Sequence, residues 1–301
     1  MKKRKKKLLV FGGTGFIGHH LLKRSIKENF NSTSVSTSHP TTLRKIKKVK
    51  YLICDVRKLS NLRKMLKSNF DYVVNLSGYI EHNNNNNIIK THLQGCKNIV
   101  NIIKNKNITS FIQIGTCLEY GNLKSPQNEN AKCKPKTKYA KSKLESNKFL
   151  KKIYGKNGFP YTSLRLYQAY GPNQKLDRLI PFIIKSCLQN KKFPCSKGLQ
   201  KRDFIYIDDL INLIFKIFKN KKARGKLYNV GYGKPTKVNN VIKSIVNIVK
   251  AGHPEFGKIK MRKDEIKNLY PNIKKVKKEI SWYPKVSLKQ GLQKTIDNFK
   301  K

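Results

Sequence analysis

The stretch KKLLVFGGTGFIGHHLLKRSIKENF, Lys6 to Phe30, decides how the chain is read. Leu8 to Phe11 form an unbroken apolar run, as in a strand buried on both faces. A turn with Gly12, Gly15 and Gly18 follows at intervals of three. Apolar residues then recur at helical spacing. Strand, glycine turn and helix in that order give the spacing its meaning. The first glycine permits the tight turn, the second lets backbone approach a pyrophosphate, and the third packs helix on strand. The helix N-terminus adds free N–H groups and partial positive charge. Gly12, Thr14, Gly15, Phe16, Ile17 and Gly18 are therefore expected to hold a dinucleotide's phosphates.

Working outward, YLICDV, YVVNLSG, SFIQIGT and YTSLRLYQAYG are further strand-like runs, separated by helical segments such as LQGCKNIVNIIKNK. This alternation predicts an α/β fold with a Rossmann-type, doubly wound parallel sheet. After Pro172 helices are interrupted by short strands, which predicts a smaller mixed α/β lobe. The run Asn83 to Asn87 reads as a flexible loop after the fourth strand. No internal repeat is present.

The composition is extreme. The 301 residues carry a formal net charge of +51, and only ten of the 67 basic residues are arginine. The lysines are spread along the whole chain, alongside abundant Asn and Ile, as AT-rich codons would produce. Arginine, the better reader of bases, is scarce, so a nucleic-acid partner is not expected. The charge should attract anionic substrates. It should also repel itself, so the melting temperature is expected to rise from low to moderate salt.

The six cysteines form no CxxC and no zinc-finger spacing, so they read as free thiols, and no metal site is expected. The basic start resembles a signal peptide, but its apolar run is too short for one. With no long apolar segment, no membrane span is expected. The expected location is the cytoplasm.

Beyond the second strand lies NSTSVSTSHPTTLRK, Asn31 to Lys45. An NAD site usually places an acid there for the ribose 2′-hydroxyl. No acid lies between Glu28 and Asp55. Ser36, Thr37, His39 and Arg44 would suit a 2′-phosphate instead. The cofactor is thus NAD or NADP, with a lean to NADP.

Three Tyr-x-x-x-Lys pairs occur, Tyr120/Lys124, Tyr139/Lys143 and Tyr270/Lys274. In so lysine-rich a chain the spacing alone means nothing. Position separates them. Tyr120/Lys124 spans the turn YGNLK, and Tyr270/Lys274 spans Pro271. Tyr139/Lys143 begins a helix that Thr137 can cap, 23 residues after Thr116. Thr116 ends the fifth strand, on the edge where doubly wound folds bind ligands.

The motifs GGTGFIG, CDV, NLSG, GTCLEYG, YAKSK, LRLYQAYGP, RDFIYIDDL, YNVGYGKP and ISWYPKVSLKQGL run in order along nearly the whole chain. Together they resemble an extended short-chain dehydrogenase/reductase of the NAD-dependent epimerase/dehydratase type, the nucleotide-sugar family. The resemblance implies an NAD(P)-binding domain with the catalytic residues over 1–172 and mainly a nucleotide-sugar lobe over 173–301. It implies Tyr139 as general acid/base at a sugar hydroxyl or ketone. Lys143 would lower the tyrosine pKa and bond the nicotinamide ribose, and Thr116 would hold the sugar oxygen. Asp55, Val56, Leu76, Ser77 and Gly78, together with Tyr139 and Lys143, would line the cofactor. Gln168, Arg202 and Arg262 would meet the substrate, the arginines clamping its diphosphate. Asp203 would fix local structure, and Asp208 would cap a helix. The family commonly dimerises.

The chain departs from the family's sugar 4,6-dehydratases. Those carry an Asp-Glu pair after the catalytic Thr, where Cys117 and Leu118 stand here, so dehydration is not expected. Gln168 and His92 both stand where the family usually has Asn. Two chemistries remain. An epimerase moves hydride from C4 to NAD and back. A 4-ketoreductase takes hydride once from NADPH. A non-catalytic NAD(P)- or RNA-binding protein is the reading from another class.

Overall fold

The computed structural model describes residues 4–78, 85–262 and 264–300. The first half alternates as read: β1 (Lys7–Phe11), α1 (Phe16–Lys27), β2 (Asn31–Ser36), β3 (Val49–Ile53), α2 (Leu59–Met65), β4 (Tyr72–Asn75), α3 (Asn85–Ile89), α4 (Gly95–Ile103), β5 (Ser110–Thr116), α5 (Lys138–Asn157) and β6 (Tyr161–Leu166). Shorter elements follow: β7 (Gln168–Tyr170), α6 (Leu179–Leu188), β8 (Lys192–Cys195), β9 (Lys201–Arg202), β10 (Phe204–Tyr206), α7 (Ile207–Lys219), β11 (Lys226–Val230), β12 (Thr236–Lys237), α8 (Val238–Val249), β13 (His253–Phe256), β14 (Asn268–Leu269), α9 (Lys274–Ile280) and α10 (Leu288–Phe299).

Seven strands form one parallel sheet in the order β11-β6-β5-β4-β1-β2-β3. The order reverses beside β1, the switch point at which such sheets bind ligands beyond their carboxyl ends. The unbroken apolar run of β1 is explained by its place, since Leu8, Leu9, Val10 and Phe11 are fully buried between helical layers. The later part of the chain returns β11 to this sheet. Its other strands make three small sheets, β10-β7, β12-β9-β14 and β13-β8.

Two expectations need correction. The asparagine run is not all loop. Asn83 and Asn84 lie outside the described residues, while Asn85 opens α3. Asp208 caps nothing: it is exposed in the first turn of α7, whose N-cap Tyr206 makes no side-chain cap bond. Its neighbour Asp209 is buried and accepts the Lys285 and Val286 N–H groups at 3.0 and 2.9 Å. Asp203 does fix local structure. Fully buried, it accepts the N–H groups of Tyr232 and Gly233 at 2.5 and 2.6 Å.

Candidate active site

The phosphate turn is shaped by what glycine lacks. Gly12 has φ +79°, and a Cβ there would sit 2.9 Å from the Leu76 carbonyl oxygen. At Gly18 a Cβ would sit 2.5 Å from the Gly12 carbonyl oxygen. Gly15 begins α1 with no side-chain cap and no acid in the first turn. The N–H groups of Phe16, Ile17 and Gly18 thus lack intrahelical partners. An uncapped helix start with no competing carboxylate fits a diphosphate. Ser36, at the end of β2, accepts the Thr14 N–H at 3.3 Å.

Arg44 lies over this turn. It donates to the carbonyls of Thr14 (3.3 Å) and Asn173 (2.6 Å). Its own carbonyl accepts from His19 Nδ1 at 3.1 Å, and the Pro172 carbonyl accepts from His20 Nε2 at 2.9 Å. Burial pushes the His20 pKa down to about 4, so its ring is neutral at neutral pH. Thr37 and His39 are exposed beyond β2.

The remaining cofactor candidates line the same sheet edge. Leu76 donates its N–H to the Phe11 carbonyl at 2.9 Å. Ser77 binds Asn75 Oδ1 through N–H (3.0 Å) and hydroxyl (2.5 Å). A Cβ on Gly78 would meet the His92 ring at 2.8 Å. Val56 is buried, and Asn98 holds its carbonyl at 2.9 Å. Asp55 is paired with Arg57 at 2.5 Å, and that hydrogen bonding holds its carboxyl below the usual range.

The chemistry-bearing residues meet at the end of β5. Thr116 is the last residue of that strand. Thr137 caps α5 by accepting the Ala140 N–H at 3.1 Å, which puts Tyr139 in the first turn. The Thr116 side chain lies beside Tyr139, where it favours the phenolate. The His92 ring stands edge-on to Tyr139, with centroids 5.1 Å apart. Lys143, one turn on, is buried and donates to the Ile114 carbonyl at 3.0 Å.

The electrostatics reverse one expectation. Lys143 does not lower the Tyr139 pKa. Burial first, then the charges of Cys117 and Glu119, push the phenol up to about 12. Burial pushes Lys143 down to about 8. The order of these values is the physical reason. An amine near 8 has lost its charge before a phenol near 12 ionises, so it does not lower the pH at which the phenol titrates. At neutral pH the phenol keeps its proton and the amine is charged.

The substrate candidates lie apart on loops and short strands. Gln168 is exposed, with its N–H donated to the Asp203 carbonyl at 3.1 Å. Arg202 pairs with Glu265 and donates to the Ile266 carbonyl at 2.7 Å. Arg262 is exposed, three residues before Glu265. Among the described residues no three His, Cys, Asp or Glu gather as metal ligands. All six cysteines are free, and no helix among those residues is long and apolar enough to cross a membrane.

The profile of the NAD dependent epimerase/dehydratase family matches residues 8–231, from β1 through β11. The chain belongs to this family. It is 28% identical to the CDP-abequose synthase of Salmonella muenchen over 97% of each chain. It is 25% identical to the human dTDP-D-glucose 4,6-dehydratase, over 97% of this chain and 89% of the relative. Its fold overlays that of UDP-glucose 4-epimerase from Thermotoga maritima with a TM-score of 0.92, at 22% identity over 98% of both chains.

Three residues of this family member escaped assignment from sequence. Arg178, the N-cap residue of α6, places a charge that favours the Tyr139 phenolate. Nothing in the local sequence sets it apart. Glu119 accepts the Thr116 N–H at 2.9 Å, and Arg165 on β6 donates to its other oxygen at 2.7 Å. Here a signal existed: Thr116-x-x-Glu119 is a capping-box pattern, and the box is formed.

Proposed function

We propose that the chain is an NAD(P)-dependent nucleotide-sugar epimerase acting by reversible hydride transfer at sugar C4. The observation that carries this is the meeting of Thr116, Tyr139 and Lys143 at the end of β5, on the sheet edge that also holds the glycine turn. Bound nicotinamide would supply the hydride acceptor and donor. Tyr139 exchanges the proton of the sugar oxygen, and Thr116, beside it at the strand end, holds that oxygen. Lys143, anchored to β5, keeps two further N–H donors for the nicotinamide ribose. Gly12, Thr14, Gly15, Phe16, Ile17 and Gly18 hold the cofactor diphosphate, and Asp55, Val56, Leu76, Ser77 and Gly78 line the rest of its path. Gln168, Arg202 and Arg262 meet the nucleotide sugar, for which Arg202 exchanges its contact with Glu265. The working unit is a homodimer in the cytoplasm.

Dehydration is left out because the two residues after Thr116 cannot pass a proton at neutral pH. Burial pushes the Cys117 thiol up to about 12, and Leu118 is apolar.

Two observations favour a second reading, a 4-ketoreductase using NADPH. A phenol pushed up to about 12 begins protonated, the state that protonates a ketone oxygen as hydride arrives. Arg44, beside the phosphate turn, suits a 2′-phosphate.

The test is a panel of nucleotide sugars and their 4-keto forms, with absorbance of the reduced cofactor followed separately for NADH and NADPH. Interconversion of C4 epimers without net cofactor consumption is the expected result. One-way oxidation of NADPH by a 4-keto sugar establishes the reductase instead. No turnover, with steeply salt-dependent RNA binding, overturns both.

A further inference from the structure

Glu119 and Arg165 are the most deeply buried ion pair among the described residues, with side chains 1% and 4% exposed. Such a pair is weak evidence for stability, because removing both charges from water costs about as much as their attraction returns. A packed apolar pair would join β5 to β6 as well. The chain has only 16 acids, yet it buries this one. It also keeps glycine at position 115, where a Cβ would lie 2.5 Å from Glu119 Oε1. Gly115 stands opposite Arg165 in the β5–β6 register, so both halves of the pair are built into the ladder. Arg165 also lies over the Tyr120 ring at 4.5 Å, and Tyr120 donates to Asn229 on β11 at 2.8 Å.

What the pair faces is decided by where a strand stops. β4 ends at Asn75, opposite Gln113 of β5. Backbone groups alternate between the two edges of a strand, so the Ile114 carbonyl and the Thr116 N–H face the same edge. On that edge Lys143 takes the Ile114 carbonyl (3.0 Å) and Glu119 takes the Thr116 N–H (2.9 Å). An ammonium and a carboxylate therefore stand side by side on adjacent positions of one strand edge. The other titratable groups around them are Cys96 on α4, Cys117 after Thr116, Cys133 in the loop before α5 and Tyr139, all kept neutral by burial, and the His92 ring stands edge-on to Tyr139. The more distant charges are Arg178, which faces Tyr139, Lys97, which faces Cys96, Arg202, which faces Cys117, and Lys148, which faces Cys133.

We propose that Glu119 is a positioning residue: braced by Arg165, its carboxylate holds the Thr116 backbone and keeps the buried Lys143 in its charged form. This rests on the roles proposed above for Thr116 and Lys143. The direction agrees with the electrostatics, since Glu119 is the leading influence that raises the Lys143 pKa against burial. A buried ammonium without an anion nearby releases its proton instead.

The test reads the lysine itself. NMR of isotope-labelled lysine side chains follows protonation, and loss of one signal in Lys143→Arg assigns the residue. The double variant Glu119→Gln/Arg165→Gln removes both charges, keeps an acceptor for the Thr116 N–H, and is checked for folding by its melting curve. The Lys143 midpoint is expected to move to lower pH by on the order of one unit. An unchanged midpoint in the folded double variant overturns the proposal. If the double variant does not fold, Glu119→Asp withdraws the carboxylate by one methylene and should move the midpoint the same way. No movement there overturns it equally. Neither sugar nor dinucleotide is present, so failure of the proposed reaction would leave this outcome untouched.

Discussion

The glycine turn after β1 and the end of β5 lie on the same sheet edge and are built in opposite ways. The turn is made of backbone. Its shape depends on missing side chains at Gly12 and Gly18, and the phosphate site proposed there rests on uncapped N–H groups at α1. The β5 end is made of buried ionisable side chains, Tyr139, Lys143, Glu119 and Arg165, each shifted or held by the others. The turn can be damaged by adding a methyl group. The β5 end can be damaged by removing one oxygen or one charge without changing its shape.

The largest expected effect tests that difference directly. Tyr139→Phe deletes a hydroxyl and should lower turnover by about 10²–10⁴-fold, while dinucleotide binding measured by titration stays within error. Comparable turnover in the variant would remove Tyr139 from the chemistry. Gly18→Ala should do the reverse. Its Cβ would meet Gly12 backbone at 2.5 Å, so overpacking should cost about 1–3 kcal/mol of stability and weaken dinucleotide binding before it touches the proton-transfer step. A melting curve and a cofactor titration check both.

The third effect is smaller and depends on pH. Lys143 is charged below about 8 and neutral above it, so turnover should fall as pH rises through about 8. Stability should not fall with it on this residue's account. The folded pKa lies below that of a free lysine, so between the two values the unfolded chain binds more protons. Stability contributed by this group therefore rises with pH in that window. A pH profile of initial rate beside one of melting temperature separates chemistry from unfolding. The weakest effect is the general one: salt should raise the melting temperature by screening the +51 charge.

Legibility follows the same division. The glycine turn was readable because backbone demands leave a residue-type signature at fixed spacing. The strand-end threonine and the helix-start tyrosine were readable because strand, cap and helix are local patterns, and Thr137 caps α5 as its position suggested. What Lys143 does to Tyr139 was not readable. The family resemblance implied a lowered phenol pKa, but burial is a tertiary property and it reversed the order of the two titrations. Asp208 misled for a related reason. It looked like a cap, yet the helix begins one residue earlier and its neighbour Asp209 carries the contacts. The asparagine run misled because composition describes polarity rather than conformation, and α3 begins within it.

By itself, the sequence determined the family and the parallel sheet and named the candidate site residues, because these rest on periodicity, glycine spacing and motif order along the chain. The tertiary structure alone decided which charges meet. Arg165 reaches Glu119 from 46 residues away, and β4 stops one residue short of the edge that Lys143 and Glu119 share. In a chain with lysine almost everywhere, a basic residue gains meaning from the carboxylate or carbonyl that burial sets against it, and that partner is supplied by folding.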